Sequence, residues 1–418
     1  MGYPKMIRVR QTFEKQTLEN IPQEISAHLA KLGLEKIVKN GDTVAVACSS
    51  RGIANYSSIV KSVISFLKQL GLTPFIIPAM GSHGGATSDG QRRVLEHFGI
   101  TEEEMGVSIR SSLDVIQLGE TEEHIPVYLD KEASKADHIV LINRIKKHTE
   151  FEHEFESGLL KMMGIGLGKQ KGASTYHEAM LTYGYPRVIL SVAEKVLQYS
   201  NLLFGVGVVE NGYCQTARID ISGPEKIEEM EKKLFKEAKK LSPSLPFDEA
   251  DILIIDEMGK DISGTGFDTK VVGRIGLPLV TKEPESPKVK RILVCDLTEG
   301  SEGNAVGVGI ADLITQRLLD NIDMDALNIN TITGVCPEMG KIPLTLKNDR
   351  EAIKIAIKCV GLIPLDELKI IRIKNTSLLS EVDISEGYEE ELSKRNDLEV
   401  IIEKRSMEFD EAGNLEPF

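Results

Sequence analysis

The stretch "SGLLKMMGIGLGKQKGASTYH", residues 157–177, sets one lysine, Lys161, inside an apolar and glycine-rich run. Ammonium groups are strongly hydrated and are seldom left in apolar surroundings without a partner or a task. Lys169 and Lys171 follow the glycines, and His177 closes the stretch. Three further segments carry groups of the same kind: "SSRGIAN" with Ser49, Ser50 and Arg51, "GSHGGATSDGQ" with His83, and "RIKKHTEFEHEFESG" with His148 and His153. Cations gathered from separate loops are the means of holding a small anion. A glycine run beside Lys169 and Lys171 is equally compatible with a phosphate nest, where backbone N–H groups and cations act together, and with a plain turn carrying solvated lysines.

Each of these segments follows a short β-branched run. "TVAVAC" (43–48), "PFIIPAM" (74–80) and "HIVLIN" (138–143) read as buried strands, with amphipathic helical stretches between them. That alternation predicts an α/β fold of two domains with mostly parallel sheets. In open α/β sheets ligands bind beyond the carboxyl ends of strands, where all three loops begin. Ser88 and Gln91 have capping-box spacing, so a helix is expected from about Asp89, leaving His83 in a glycine loop. His28, His97, His124 and His138 read as structural or exposed, and Glu150, Glu152, Glu154 and Glu156 as a solvated acidic segment.

"PSLPFDEA" (243–250) is a polar, proline-containing joint, and the expected domains are 1–246 and 247–395. Residues 396–418 form a tail with a return to the first domain as one option. In the second half the pattern predicts strands at 251–256, 290–297, 327–333 and 368–375, with helices near 304–321 and 349–360. The loop "DEMGKDISGTGFDTK" (256–270) ends on Lys270.

Composition excludes several classes. A net charge of −14 argues against a general nucleic-acid binder, which needs a basic excess. No apolar run reaches the roughly 18 residues of a membrane span. No secretory leader is visible, and Cys48, Cys214, Cys295, Cys336 and Cys359 form no CxxC pair. A reduced, cytoplasmic protein is the expectation. Walker A spacing around "GIGLGK" needs glycine at 163 and Ser or Thr at 170, where Met163 and Gln170 stand. A GxGxxG starting at Gly164 fails at Lys169, and the runs from Gly205 and Gly307 fail as well.

Taken as an ordered set, "SSR", "GSHGGATS", "ADHIVLIN…KKHT" and the Lys161–His177 stretch resemble the nickel-dependent lactate racemases and their 2-hydroxy-acid racemase and epimerase homologues. The resemblance runs over roughly residues 40 to 275. It implies a nickel-pincer nucleotide tethered through Lys161, with His177 as the protein ligand of nickel, a fit for soft sulfur donors plus imidazole. It implies close backbone approach at Gly164, Gly166 and Gly168, with Lys169 beside them. It assigns His83 and His148 as acid/base groups, preferring His148 to His153, since imidazole titrates near operating pH. Arg51, Ser50, Lys270 and Asp268 would bind substrate in an interdomain cleft.

The implied partners are a small 2-hydroxy acid and the proteins that build the cofactor. Protein made without them would be free of it. Departures from the family pattern ("SSRGIAN" for "SSDxTR", no Trp, the longer "TEFEHEFESG", Asp268 for an amide) widen the expected substrates to larger or more polar acids, sugar acids included. Two other classes stand beside this one: a non-catalytic metallocofactor- or metabolite-binding protein, and an α/β dehydrogenase with an ordinary nucleotide.

Overall fold

The computed structural model describes residues 2–50, 52–277 and 280–418. The strands Thr73–Pro78, Thr43–Cys48, His138–Arg144 and Leu202–Glu210 lie side by side in that order, all parallel, and Thr216–Ser222 adds an antiparallel edge. Their near-continuous apolar sequences are explained by cover on both faces. Ala45, Phe75, Ile77 and Leu141 pack on one side beneath Tyr185–Tyr199 and Ile227–Leu241. Val44, Val46, Ile76 and Ile142 pack on the other beneath Tyr56–Gln69 and Ile21–Ala30. Chain order reverses beside Thr43–Cys48, which has an earlier crossover on one side and a later one on the other. Such a reversal opens a crevice at the carboxyl ends of the strands.

The second sheet has eight strands. Leu344–Leu346, Leu313–Thr315, Lys288–Val294, Glu249–Ile255 and Ile370–Ile373 are parallel, and Glu381–Ser385, Met6–Gln11 and Leu398–Arg405 continue it antiparallel. The α/β class with two mostly parallel sheets is therefore as the sequence predicts. The N-terminal strand departs from the expected 1–246 unit, because Ile7 and Val9 belong to the core of the eight-stranded sheet. The tail strand pairs with that N-terminal strand, in the second sheet rather than the first.

Two further elements differ from expectation. Residues 327–333 lie in a helix, Met324–Thr333, not a strand. The Asp323 carboxylate caps it by accepting the N–H groups of Asp325 and Ala326, while Asn330 and Thr331 bond back to carbonyls one turn earlier. β-Branched composition loses here to capping and to one-sided burial, with Leu327 inside and Ile332 exposed. The helix expected near 304–321 is a turn at Val308–Ile310, the strand Leu313–Thr315 and the short helix Gln316–Asp320. All five cysteines are unpaired, Cys48, Cys295 and Cys336 buried and Cys214 and Cys359 exposed. Among the described residues no helix is long and apolar enough to cross a membrane.

Candidate active site

The reversal point opens into a cleft of about 1070 Å³ of space continuous with solvent. Its floor is made by the strand-end loops: Ser49 and Ser50, His83, then Asn143, Lys146, Lys147, His148 and Glu150. Lys161 and His177 enter from the helical wall, Lys260, Thr265 and Cys336 from the second sheet's loops, and Asn330 from the helix Met324–Thr333. Of the residues singled out from sequence, His83, His148, Lys161, His177, Ser50 and Gly166 thus share one cavity. Arg51 lies outside the described residues.

Lys161 ends a single helical turn, Leu159–Lys161, that passes into a π-helical segment, Met162–Gly166, and then the helix Lys169–Tyr183. π-Segments recur at functional sites because they shift side chains out of α-helical register. Two residues that sequence reasoning missed fix this turn. Asn143 donates its Nδ2 hydrogen to the carbonyl of Gly158 at 2.8 Å. The buried Glu231 carboxylate accepts the Leu160 N–H at 2.9 Å, and burial pushes that carboxyl up to about 7. A Cβ on Gly158 would meet Glu231 Oε1 at 2.4 Å, so a larger residue there would displace the carboxylate that holds the turn. No local signal announces Glu231, which sits on the helix Ile227–Leu241 far along the chain.

His148 is buried and stacks on Phe151 at 4.6 Å between ring centroids. Its Nδ1 accepts the backbone N–H of Glu150 at 3.0 Å, and its Nε2 lies 2.5 Å from Lys161 Nζ. Burial first, then the neighbouring Lys161, Lys270, His177 and Lys146, hold its pKa well below the ordinary imidazole value. His148 is therefore neutral at pH 7. His177 donates from Nδ1 to the Thr333 carbonyl at 3.1 Å, a bond that reaches across to the second sheet's side. That tautomer leaves the Nε2 lone pair available to a metal. Burial lowers its pKa too, with Glu150 opposing.

The expected capping box does not form. Thr87 caps the helix Ser88–His97 by accepting the Gly90 N–H, and Gln91 instead donates to the carbonyls of Gly81 and His83. Gln91 thereby braces the His83 loop. His153 meets Phe155 edge-to-face and does not line the cleft. The acidic segment is not simply solvated. Glu156 is fully buried, accepting the His148 N–H and the Lys270 ammonium at 2.8 Å, and Glu150 accepts the Tyr185 hydroxyl. Charged residues at alternate positions read as a surface, but the loop folds back so that its base closes through Lys146 and Ser157.

Other expected contacts fall elsewhere. Lys270 is spent on Glu156 and the Phe151 carbonyl, and it lines a separate depression on the far side of the 147–157 loop. Asp268 caps the short helix Thr269–Val272 and lines a different interdomain pocket. The second sheet's cation in the cleft is Lys260, ten residues earlier in the same loop, donating to the Gly264 carbonyl at 2.7 Å. Lys169 is no phosphate ligand. It is completely buried, paired with Asp130 at 2.6 Å and bonded to the Pro78 carbonyl. Gly164 and Gly168 serve packing within the wall, where a Cβ would meet Val192 at 3.1 Å and the Gly164 carbonyl oxygen at 2.4 Å respectively.

Removing one partner of a buried ion pair strands the other. Lys169→Met is accordingly expected to lower unfolding stability by about 3–5 kcal/mol. The Lys169→Met/Asp130→Asn double variant should recover part of this in a denaturant titration. A loss under 1 kcal/mol for the single variant would contradict the reading.

Among the described residues no three His, Cys, Asp or Glu side chains gather as a metal site. What the fold and the cleft define is an α/β protein that brings four lysines and three histidines, among the described residues, to a shared cavity. Residues 5–185 match the family model described as the lactate racemase N-terminal domain. Its fold is similar to that of the lactate racemase apoprotein from Thermoanaerobacterium thermosaccharolyticum, with a TM-score of 0.54 at 14% identity over 88% of this chain and 94% of that one. No curated protein matches the chain.

Proposed function

We propose that the protein is a racemase or 2-epimerase of a 2-hydroxy acid, working with a lysine-tethered nickel-pincer nucleotide. The observation that carries this is the meeting in one cleft of Lys161, His83, His148 and His177, from four separate segments. The residues fit the cofactor. Lys161 offers an amine at the cavity wall, and His177 has its Nε2 free because Nδ1 is bonded to Thr333. With His177 as the protein's ligand, the remaining metal donors would come from the bound group, which suits a pincer. When bound, that group supplies acceptance and return of a hydride.

The chain's own residues do the rest. A 2-hydroxy acid has a poorly acidic Cα–H, so oxidation to a 2-keto acid and re-reduction on either face is the easier route. Each direction needs a base at the hydroxyl, and His83 and His148 are the two cleft imidazoles left for it. The buried His148 is neutral and so able to take a proton. Lys260 is the cation placed to hold the carboxylate, since it lines the cleft from the second sheet's side and an ammonium pairs with a carboxylate.

A Lys260→Ala variant is expected to raise KM about 10- to 100-fold, the worth of a charge-assisted hydrogen bond. Lys270→Ala should leave KM nearly unchanged while lowering stability. The reverse pattern in steady-state kinetics would return the anchoring role to Lys270.

The reading itself is tested with loaded protein and an optically pure 2-hydroxy acid in D2O. Loss of optical purity without deuterium at Cα supports hydride transfer. Deuterium at Cα means proton abstraction, and no turnover across a panel of 2-hydroxy acids removes the proposal.

A further inference from the structure

We propose that His148 holds Lys161 as an uncharged amine before any group is attached, making Lys161 a ready nucleophile for its own acylation. The inference rests on hydrogen-bond directions. A backbone N–H can only donate, so His148 Nδ1, which receives Glu150 N–H at 3.0 Å, carries no hydrogen. A neutral imidazole then carries its hydrogen on Nε2, the atom 2.5 Å from Lys161 Nζ. Nε2 donates and Nζ accepts, and only an amine has a lone pair to accept with. An ammonium at Nζ would need a lone pair on Nε2 and would break the Glu150 bond.

The surroundings act the same way. The cleft wall around this pair carries Lys146, Lys147 and Lys260, with Lys270 behind Glu156 and with His83 and His177 nearby. Glu150 is the acidic side chain facing it, and that carboxylate already accepts from Tyr185. Cations crowding one site favour loss of a proton from one of them.

The step this prepares is a condensation. Nζ attacks the carbon of a thiocarboxylic acid, the C–N bond forms and the C–O bond breaks, and the departing hydroxyl takes one amine hydrogen to leave as water, giving a thioamide. Nothing is oxidised or reduced. Once acylated, Nζ has no basic lone pair, and His148 becomes a base at Nε2 by carrying its hydrogen on Nδ1 instead, which requires the Glu150 bond to open. This last use rests on the proposed function; the state of the amine does not.

The test uses the full-length protein without cofactor. It is pulsed with a small acetylating N-hydroxysuccinimide ester between pH 6.5 and 9.5, followed by peptide mapping. The exposed Lys31 and Lys36 serve as references. At pH 7 an ordinary lysine, with pKa near 10.4, is almost wholly protonated, so Lys161 is expected to react on the order of 100-fold faster.

His148→Phe keeps the ring stacking and removes both nitrogens, and His148→Asn serves if that variant misfolds. Either should return Lys161 to the reference pH profile. Reference-like behaviour of Lys161 in the unaltered protein, or unchanged reactivity in a folded His148 variant, overturns the inference. A reactive Lys161 in a protein that racemises nothing sinks the proposed function and leaves this inference standing.

Discussion

Lys161→Arg protein, produced together with the proteins that build the cofactor, is expected to carry no adduct and to leave optically pure substrate untouched. Arginine keeps the positive charge, the helical propensity and most of the length, but its guanidinium stays protonated and is no nucleophile near neutrality. The substitution thus removes bond-forming capacity while changing the wall of the cleft little. The turn that carries the residue is held independently, by Asn143 on the Gly158 carbonyl and Glu231 on the Leu160 N–H. Intact mass, nickel content and chiral chromatography together give the answer. Unmodified protein with unchanged stability and background activity is the expected outcome. Full activity in this variant would remove the tether from the mechanism altogether.

His83→Gln is expected to keep the adduct and lose turnover by about 10²- to 10⁴-fold, the usual contribution of a general acid–base group. The two-base scheme adds a sharper expectation. With one base gone, one enantiomer should still be oxidised in a single turnover while the other is not, because each hydroxyl is served by its own imidazole. Rapid quenching after mixing with each pure enantiomer would show this asymmetry as 2-keto acid formed from one of them alone. Equal slowing of both enantiomers would mean that His83 positions substrate instead. His83 is the better probe of the two, since His148 is bonded to Lys161 and its loss would disturb both attachment and turnover.

Much of the cleft was legible because its parts are local. A strand followed by a polar loop can be recognised from a dozen residues, and the carboxyl ends of parallel strands meet by the geometry of the sheet. Ser50, His83 and His148 arrive in the cavity for that reason. The second sheet's contribution was not legible in this way. Lys260 and Lys270 lie in one loop, and nothing in "GKDISGTGFDTK" says which of them faces the cleft. That depends on Glu156, which folds inward and captures Lys270. Lys169 shows the same limit. Beside glycines it reads equally as a phosphate contact or as a solvated turn lysine, yet Asp130, at the end of the strand Pro126–Asp130, draws it into the interior.

By itself the sequence determined the α/β class, the strand-end placement of His83 and His148 and the nearness of Lys161 and His177 along one short segment. These follow from hydrophobic periodicity and from spacing within short segments, which the local chain carries in full. The tertiary structure alone decided which charges face the cleft and which are consumed inside the fold, and that the first and last strands pair within the second sheet. Those outcomes depend on contacts between distant segments, where burial makes an unpartnered charge too costly and so selects its neighbour. The proton arrangement at Lys161 belongs to the same class. It depends on a backbone N–H, an imidazole and an amine brought together by a loop that closes on itself.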